Sequence, residues 1–87
     1  MQTTEAVVQD PIGLHARPAN QFVKLAAGFH SVIKVRKVSD TAEFNAKSIT
    51  GLMRLGAVHG THILITAEGD DEADACAALK ALVETGS

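Results

Sequence analysis

The run Gly13-Leu14-His15-Ala16-Arg17-Pro18-Ala19 sets a titratable imidazole, a guanidinium and a helix-starting proline side by side. Imidazole is nucleophilic and largely neutral near physiological pH, with an unperturbed pKa of about 6.5, so it can accept a phosphoryl group and pass it on. Proline is favoured in a first helical turn, where its missing N–H is no loss and its fixed φ is already helical. Pro18 therefore predicts a helix starting around Ala16, and Gly13 permits a tight turn before it. The first N–H groups of that helix, the one at Ala16 included, lack intrahelical partners and face any anion held on His15. Arg17 adds a permanent, forked cation suited to phosphate oxygens.

A second run, Lys47-Ser48-Ile49-Thr50-Gly51-Leu52-Met53-Arg54-Leu55-Gly56, reads as a short helix with Ser48 as its N-cap and Gly56 as its stop. Leu52 and Leu55 are its expected core residues. The remaining reactive residue types suggest no further site. His59 and His62 span a turn at Gly60 rather than one helical face, which argues against a metal pair. His30 falls in a loop, Cys76 on the apolar stripe of a helix, and no glycine-rich nucleotide loop is present. Neither a metal nor a cofactor is expected.

The elements that must hold these residues alternate along the chain. Thr3 to Gln9 alternates Thr4, Ala6 and Val8 against more polar neighbours, as a half-buried strand does, and Asp10-Pro11-Ile12-Gly13 breaks it. From Ala16 to Ala27 the positions Ala19, Phe22, Val23, Ala26 and then Phe29 follow helical spacing, with Gly28 as a left-handed stop. Val32 to Val38 and Glu43 to Ala46 read as two strands around a turn at Ser39-Asp40-Thr41, and Thr61 to Ala67 as a fourth, with Ile63, Ile65 and Ala67 on one face. Asp70 or Asp71 caps a final helix whose apolar stripe is Ala75, Cys76, Leu79, Leu82 and Val83. The order is β-α-β-β-α-β-α. A sheet apolar on one face needs cover on that face alone, so the helices pack together in a second layer.

Composition narrows the classes further. A chain of 87 residues suits one domain, residues 1–87, and its aromatics are confined to Phe22, Phe29 and Phe44, so aliphatic residues and alanine must build the core. A net charge of −2 leaves no electrostatic footprint for nucleic acid or an anionic membrane. No apolar run approaches the length of a membrane span, the first residues lack signal-peptide character, and the single cysteine suits a reducing, cytoplasmic setting.

Together the two runs resemble the active-site and regulatory signatures of the HPr family, the histidine-containing phosphocarriers of the bacterial phosphoenolpyruvate:sugar phosphotransferase system. The resemblance extends over essentially the whole chain. It implies an α+β fold, an open-faced β-sandwich of four antiparallel strands covered on one face by three helices. It implies a phosphocarrier that accepts a phosphoryl group on Nδ1 of His15 from enzyme I and passes it to enzyme II A domains, and that is not an enzyme in its own right. Arg17 and the Ala16 N–H would stabilise the phosphoryl group. Ser48 would be the target of a regulatory kinase, the HPr kinase/phosphorylase. Asn20, Lys24, Ile49, Thr50, Met53 and Arg54 would form the partner-docking face of a monomer. The chain departs from the family pattern at Thr50, where Met or Phe is usual, at Arg54, which replaces a small residue, and in a hairpin between Val35 and Phe44 about two residues longer than in typical members. Two alternatives share these residues: a regulatory paralogue acting mainly by protein binding, and a carrier of a nitrogen-related branch.

Overall fold

The computed structural model describes residues 1–10 and 16–85, with Ala16 described by its backbone alone. The elements run β1 (Gln2–Val7), α1 (Ala16–Ala27), β2 (Val32–Lys37), β3 (Phe44–Asn45), α2 (Ile49–Leu55), β4 (His62–Glu68) and α3 (Glu72–Thr85). The strands form one sheet in the order β1-β4-β2-β3 with every neighbouring pair antiparallel. The predicted turn from Pro11 to Gly13 lies outside the described residues.

Alternation decides which face is covered. Ala6 pairs with Ile63 and Thr4 with Ile65, while Ile33 and Val35 pair with Ala67 and Ile65. Ala6, Ile33, Val35, Ile63, Ile65 and Ala67 are all buried beneath the helices. Their neighbours on the other face are mostly polar, with Val7, Val32 and Leu64 among them, and the polar ones meet: the Thr3 and Thr66 hydroxyls lie 3.3 Å apart, and His62 Nδ1 lies 2.6 Å from Glu5 Oε2. α3 lies along β1 and β4, α2 covers β3 and β2, and α1 packs between α2 and α3. Phe22 of α1, Leu52 and Leu55 of α2 and Leu79 of α3 are fully or almost fully buried where these helices meet the sheet's apolar face.

Three local expectations are corrected. Gly28 does not take a left-handed conformation; among the described residues the positive-φ glycines are Gly56, Gly60 and Gly69. α1 closes instead by tightening its last turn, Gly28 N donating to Leu25 O at 3.1 Å and Phe29 N to Ala26 O at 3.1 Å. The third strand is shorter than Glu43 to Ala46, because side chains rather than a strand ladder organise the hairpin loop. The Arg36 guanidinium donates to the carbonyls of Lys37, Val38 and Asp40, and the Asp40 carboxylate accepts from Thr41 N.

The third correction concerns the start of α3. Asp71 stands one residue before the helix, yet its carboxylate accepts from His30 N at 2.7 Å, from Ser31 N at 3.0 Å and from the Ser31 hydroxyl. Asp71 does hold the N-cap position, its carbonyl accepting from Ala75 N at 2.9 Å, but its side chain is engaged by the other loop, and the Glu72 carboxylate instead accepts from Gly69 N at 3.1 Å in the turn before the helix. Asp71 thus ties the α1–β2 connection to the β4–α3 connection. The two loops sit so close that a Cβ on Gly69 would lie 2.7 Å from Ser31 Cα, which excludes any side chain there.

The Ser31 hydroxyl, followed by the His30 amide, holds the Asp71 carboxyl below its ordinary range. A group whose pKa falls on folding stabilises the native state above its unfolded pKa, and that contribution is lost as pH drops through the folded value. Asp71→Asn should therefore lower the thermal midpoint at neutral pH by a few degrees, more than Ser31→Ala, and should flatten the decline in stability below the usual carboxylate range. Melting curves at neutral and acidic pH check this; an unchanged acid decline in Asp71→Asn would refute the role of the clamp.

Candidate functional site

α1 is amphipathic. Ala19, Phe22 and Ala26 are buried while Arg17, Asn20 and Lys24 are exposed, at spacings of three and four that place them on one helical face. The helix begins at Ala16, where Pro18 predicted, with Pro18 itself half-buried in the first turn. Its first turn carries no acidic residue. His15, the residue bonded to Ala16, lies outside the described residues.

The second cluster is organised by Ser48. Its backbone is extended (φ −116°, ψ 120°) and its hydroxyl accepts from Gly51 N at 3.1 Å, as an N-cap must. Gly56, at φ 66°, ends the helix in the left-handed region that a side chain would disfavour. The seven residues between them split cleanly. Leu52 and Leu55 are buried, whereas Ile49 and Met53 remain 40% and 47% exposed, one helical turn apart, with Thr50 and Arg54 exposed beside them. α1 and α2 pack against each other, so the two candidate clusters lie on neighbouring helices.

A contact that spacing did not reveal fixes this neighbourhood. Lys47 Nζ donates to Phe29 O at 2.8 Å, tying the segment before α2 to the end of α1. The lysine is part of the second run, but nothing in its spacing indicates a partner 18 residues away. Asp71 gives no sequence signal of its longer reach either, since an aspartate before a helix reads first as a cap.

Charge is segregated across the molecule. Neither α1 nor α2 contains an acidic residue, and together with Lys47 they present Arg17, Lys24 and Arg54, although the chain as a whole is net negative. By contrast α3 carries Glu72 and Asp74 in its first turn, the usual way of satisfying a positive helix end. The start of α1 has no such internal anion.

The other reactive groups are engaged structurally. Cys76 is buried, and burial pushes its thiol up, away from thiolate chemistry. His30, Asp70 and Asp71 bring ligand-type atoms within 4.8 Å of one another. Both Asp71 oxygens, however, already accept protein hydrogen bonds, and His30 and Asp70 are exposed. His62 pairs with Glu5 on the open sheet face rather than approaching His59 as a ligand pair.

Comparison with known proteins agrees with this arrangement. Residues 2–85 match the PTS-HPr family, described as the PTS HPr component phosphorylation site. The phosphocarrier protein HPr of Mycoplasma genitalium is 45% identical over 84 residues, covering 97% of this chain and 94% of that protein. The crystal structure of an HPr from Thermoanaerobacter tengcongensis superposes with a TM-score of 0.93 at 44% identity, covering 99% of this chain and 94% of the other. The Bacillus subtilis catabolite repression protein Crh, a dimer with a swapping domain, gives a TM-score of 0.78 at 40% identity, covering 99% and 97% of the two chains. By sequence along nearly its full length and by the three-helix, four-strand open sandwich, the chain belongs to the HPr family, the phosphocarrier component of the phosphotransferase system.

Proposed function

We propose that residues 1–87 act as one domain in which His15 takes the phosphoryl group from enzyme I on Nδ1 and hands it to enzyme II A domains. The observation that carries this reading is the acid-free first turn of α1, which starts at the residue after His15 and exposes Arg17. A phosphoryl group on the imidazole would meet orphan helix N–H groups, Ala16 among them, and a guanidinium, with no carboxylate in that turn to repel it. The stabilisation is moderate, since a helix terminus contributes about 0.3–1 kcal/mol and at most ~2. That suits a carrier, because a tightly held phosphoryl group would be slow to leave.

The docking face in this reading is the α1–α2 surface: Asn20 and Lys24 from α1, Ile49, Thr50, Met53 and Arg54 from α2. Two exposed apolar side chains rimmed by cations suit an acidic partner surface with an apolar centre. Thr50 and Arg54 make this face more polar and more basic than the usual family pattern. Ser48 sits at its edge with the hydroxyl half-buried in the cap. A phosphate there would add about 1.5–2 negative charges to a cationic surface and weaken partner binding without unfolding the sheet. The carrier works in the cytoplasm as a monomer; the absence among the described residues of a helix able to cross a membrane accords with that setting.

His15→Ala should abolish acid-labile labelling by phosphoenolpyruvate and enzyme I while leaving the circular dichroism spectrum unchanged, and persistent labelling would overturn the assignment. Arg17→Ala, at an exposed position, should leave the melting temperature intact and slow transfer about fivefold, the equivalent of ~1 kcal/mol. Ser48→Ala should cost about 0.5–2 kcal/mol of stability through the lost cap with transfer retained. Ser48→Glu should instead slow transfer from enzyme I; equal transfer rates for the two Ser48 variants would leave Ser48 a cap alone.

A further inference from the structure

β1 is an edge strand, and its own sequence does little to protect it. Gln-Thr-Thr-Glu-Ala-Val contains no proline, glycine or lysine, and it is rich in β-compatible residues. The opposite edge needs no such guard, because β3 is two residues long. On β1 the protection comes from α3.

The pattern follows strand parity. Val8 faces β4: its N–H donates to Thr61 O at 3.0 Å and its carbonyl accepts from Gly60 N at 2.8 Å. Odd-numbered residues therefore turn their backbone groups outward, and α3 meets several of these groups. The terminal amine of Met1 pairs with Glu72 at 2.9 Å. Lys80 Nζ donates to Glu5 O at 2.9 Å. Val7 N donates to Glu84 Oε2 at 3.2 Å, and Gln9 N to Val83 O at 3.2 Å. Lys80 also donates to Glu84 Oε2 at 2.9 Å, so the two side chains brace each other at i,i+4 spacing. The ammonium of Lys80 and the Val7 amide hold the Glu84 carboxyl below its ordinary range.

We propose that Lys80 and Glu84 seal the β1 edge against strand addition, and that the partner this edge would otherwise take is β1 of a second copy. Any antiparallel strand offers donors and acceptors in this alternation; in a solution of the pure protein the strand at hand is β1 of a second copy, and a two-fold axis lets each copy satisfy the other. This inference stands apart from the chemistry of His15 and does not depend on it.

The decisive variant is Lys80→Met/Glu84→Met, which keeps helix propensity and the apolar stems while removing the donor and acceptor. Sedimentation should show a reversible dimer with a Kd of about 1 mM or tighter. Lys80→Gln/Glu84→Gln keeps one donor and one acceptor in place and should remain monomeric at the same concentration. Adding Thr3→Pro to the Met pair removes an outward N–H at a position where an edge strand tolerates proline, and should return the variant to monomer. A folded Met pair that stays monomeric would overturn the proposal, as would a dimer indifferent to Thr3→Pro. Hydrogen exchange in the unaltered chain reads the seal without any variant. The Val7 amide should be protected as strongly as the amides facing β4, and its rapid exchange would equally sink the idea.

Discussion

Burial of one face of a four-stranded sheet is the constraint on which the rest of this molecule depends. Ile63, Ile65 and Ala67 of the second strand in the sheet order, flanked by Ala6, Ile33 and Val35, concentrate the buried aliphatic residues of the sheet on one side. Three helices must therefore share one face, and α1 is pressed between α2 and α3. The two helices that carry the candidate site become neighbours for reasons of packing. Their exposed faces then adjoin, braced by the Lys47 Nζ bond to Phe29 O.

The same division governs charge. Acidic side chains are employed where they hold structure: Asp71 between two loops, Glu72 on Gly69 N and the terminal amine, Glu84 on the β1 edge. Acid is absent from α1 and α2. A chain with net charge −2 thereby carries a cationic α1–α2 face without being basic overall. In the proposed reading of this face as a docking surface, a charge field with a small apolar centre favours fast encounter over long residence.

Much of the architecture could be read from period alone. The alternation at Ile63, Ile65 and Ala67, and the helical spacing of Ala19, Phe22 and Ala26, are direct imprints of burial, and the observed bounds of α1 agree with Ala16 to Ala27. Ser48 and Gly56 were readable because capping is local chemistry with few residue solutions. The strand order was not legible in the residues, since periodicity says which face a residue occupies but not which neighbour lies beside it. What escaped was non-local: the reach of Asp71 to Ser31, of Lys47 to Phe29, and of Lys80 and Glu84 to β1. Gly28 misled because glycine after a helix usually signals a left-handed cap, whereas here a tightened turn satisfies the same carbonyls.

The sheet order also sets a timetable for biosynthesis. β4 lies between β1 and β2, so Gln2 must find Ala67 and Val32 must find Glu68. A nascent chain emerging from its first residue holds β1 and β2 without their shared neighbour until nearly the whole polypeptide has left the ribosome. Pairings so distant in sequence carry a high loop-closure cost and slow the search for the native state. Until the last third of the chain appears, the sheet has no centre, and whatever order the first half possesses must come from α1 alone.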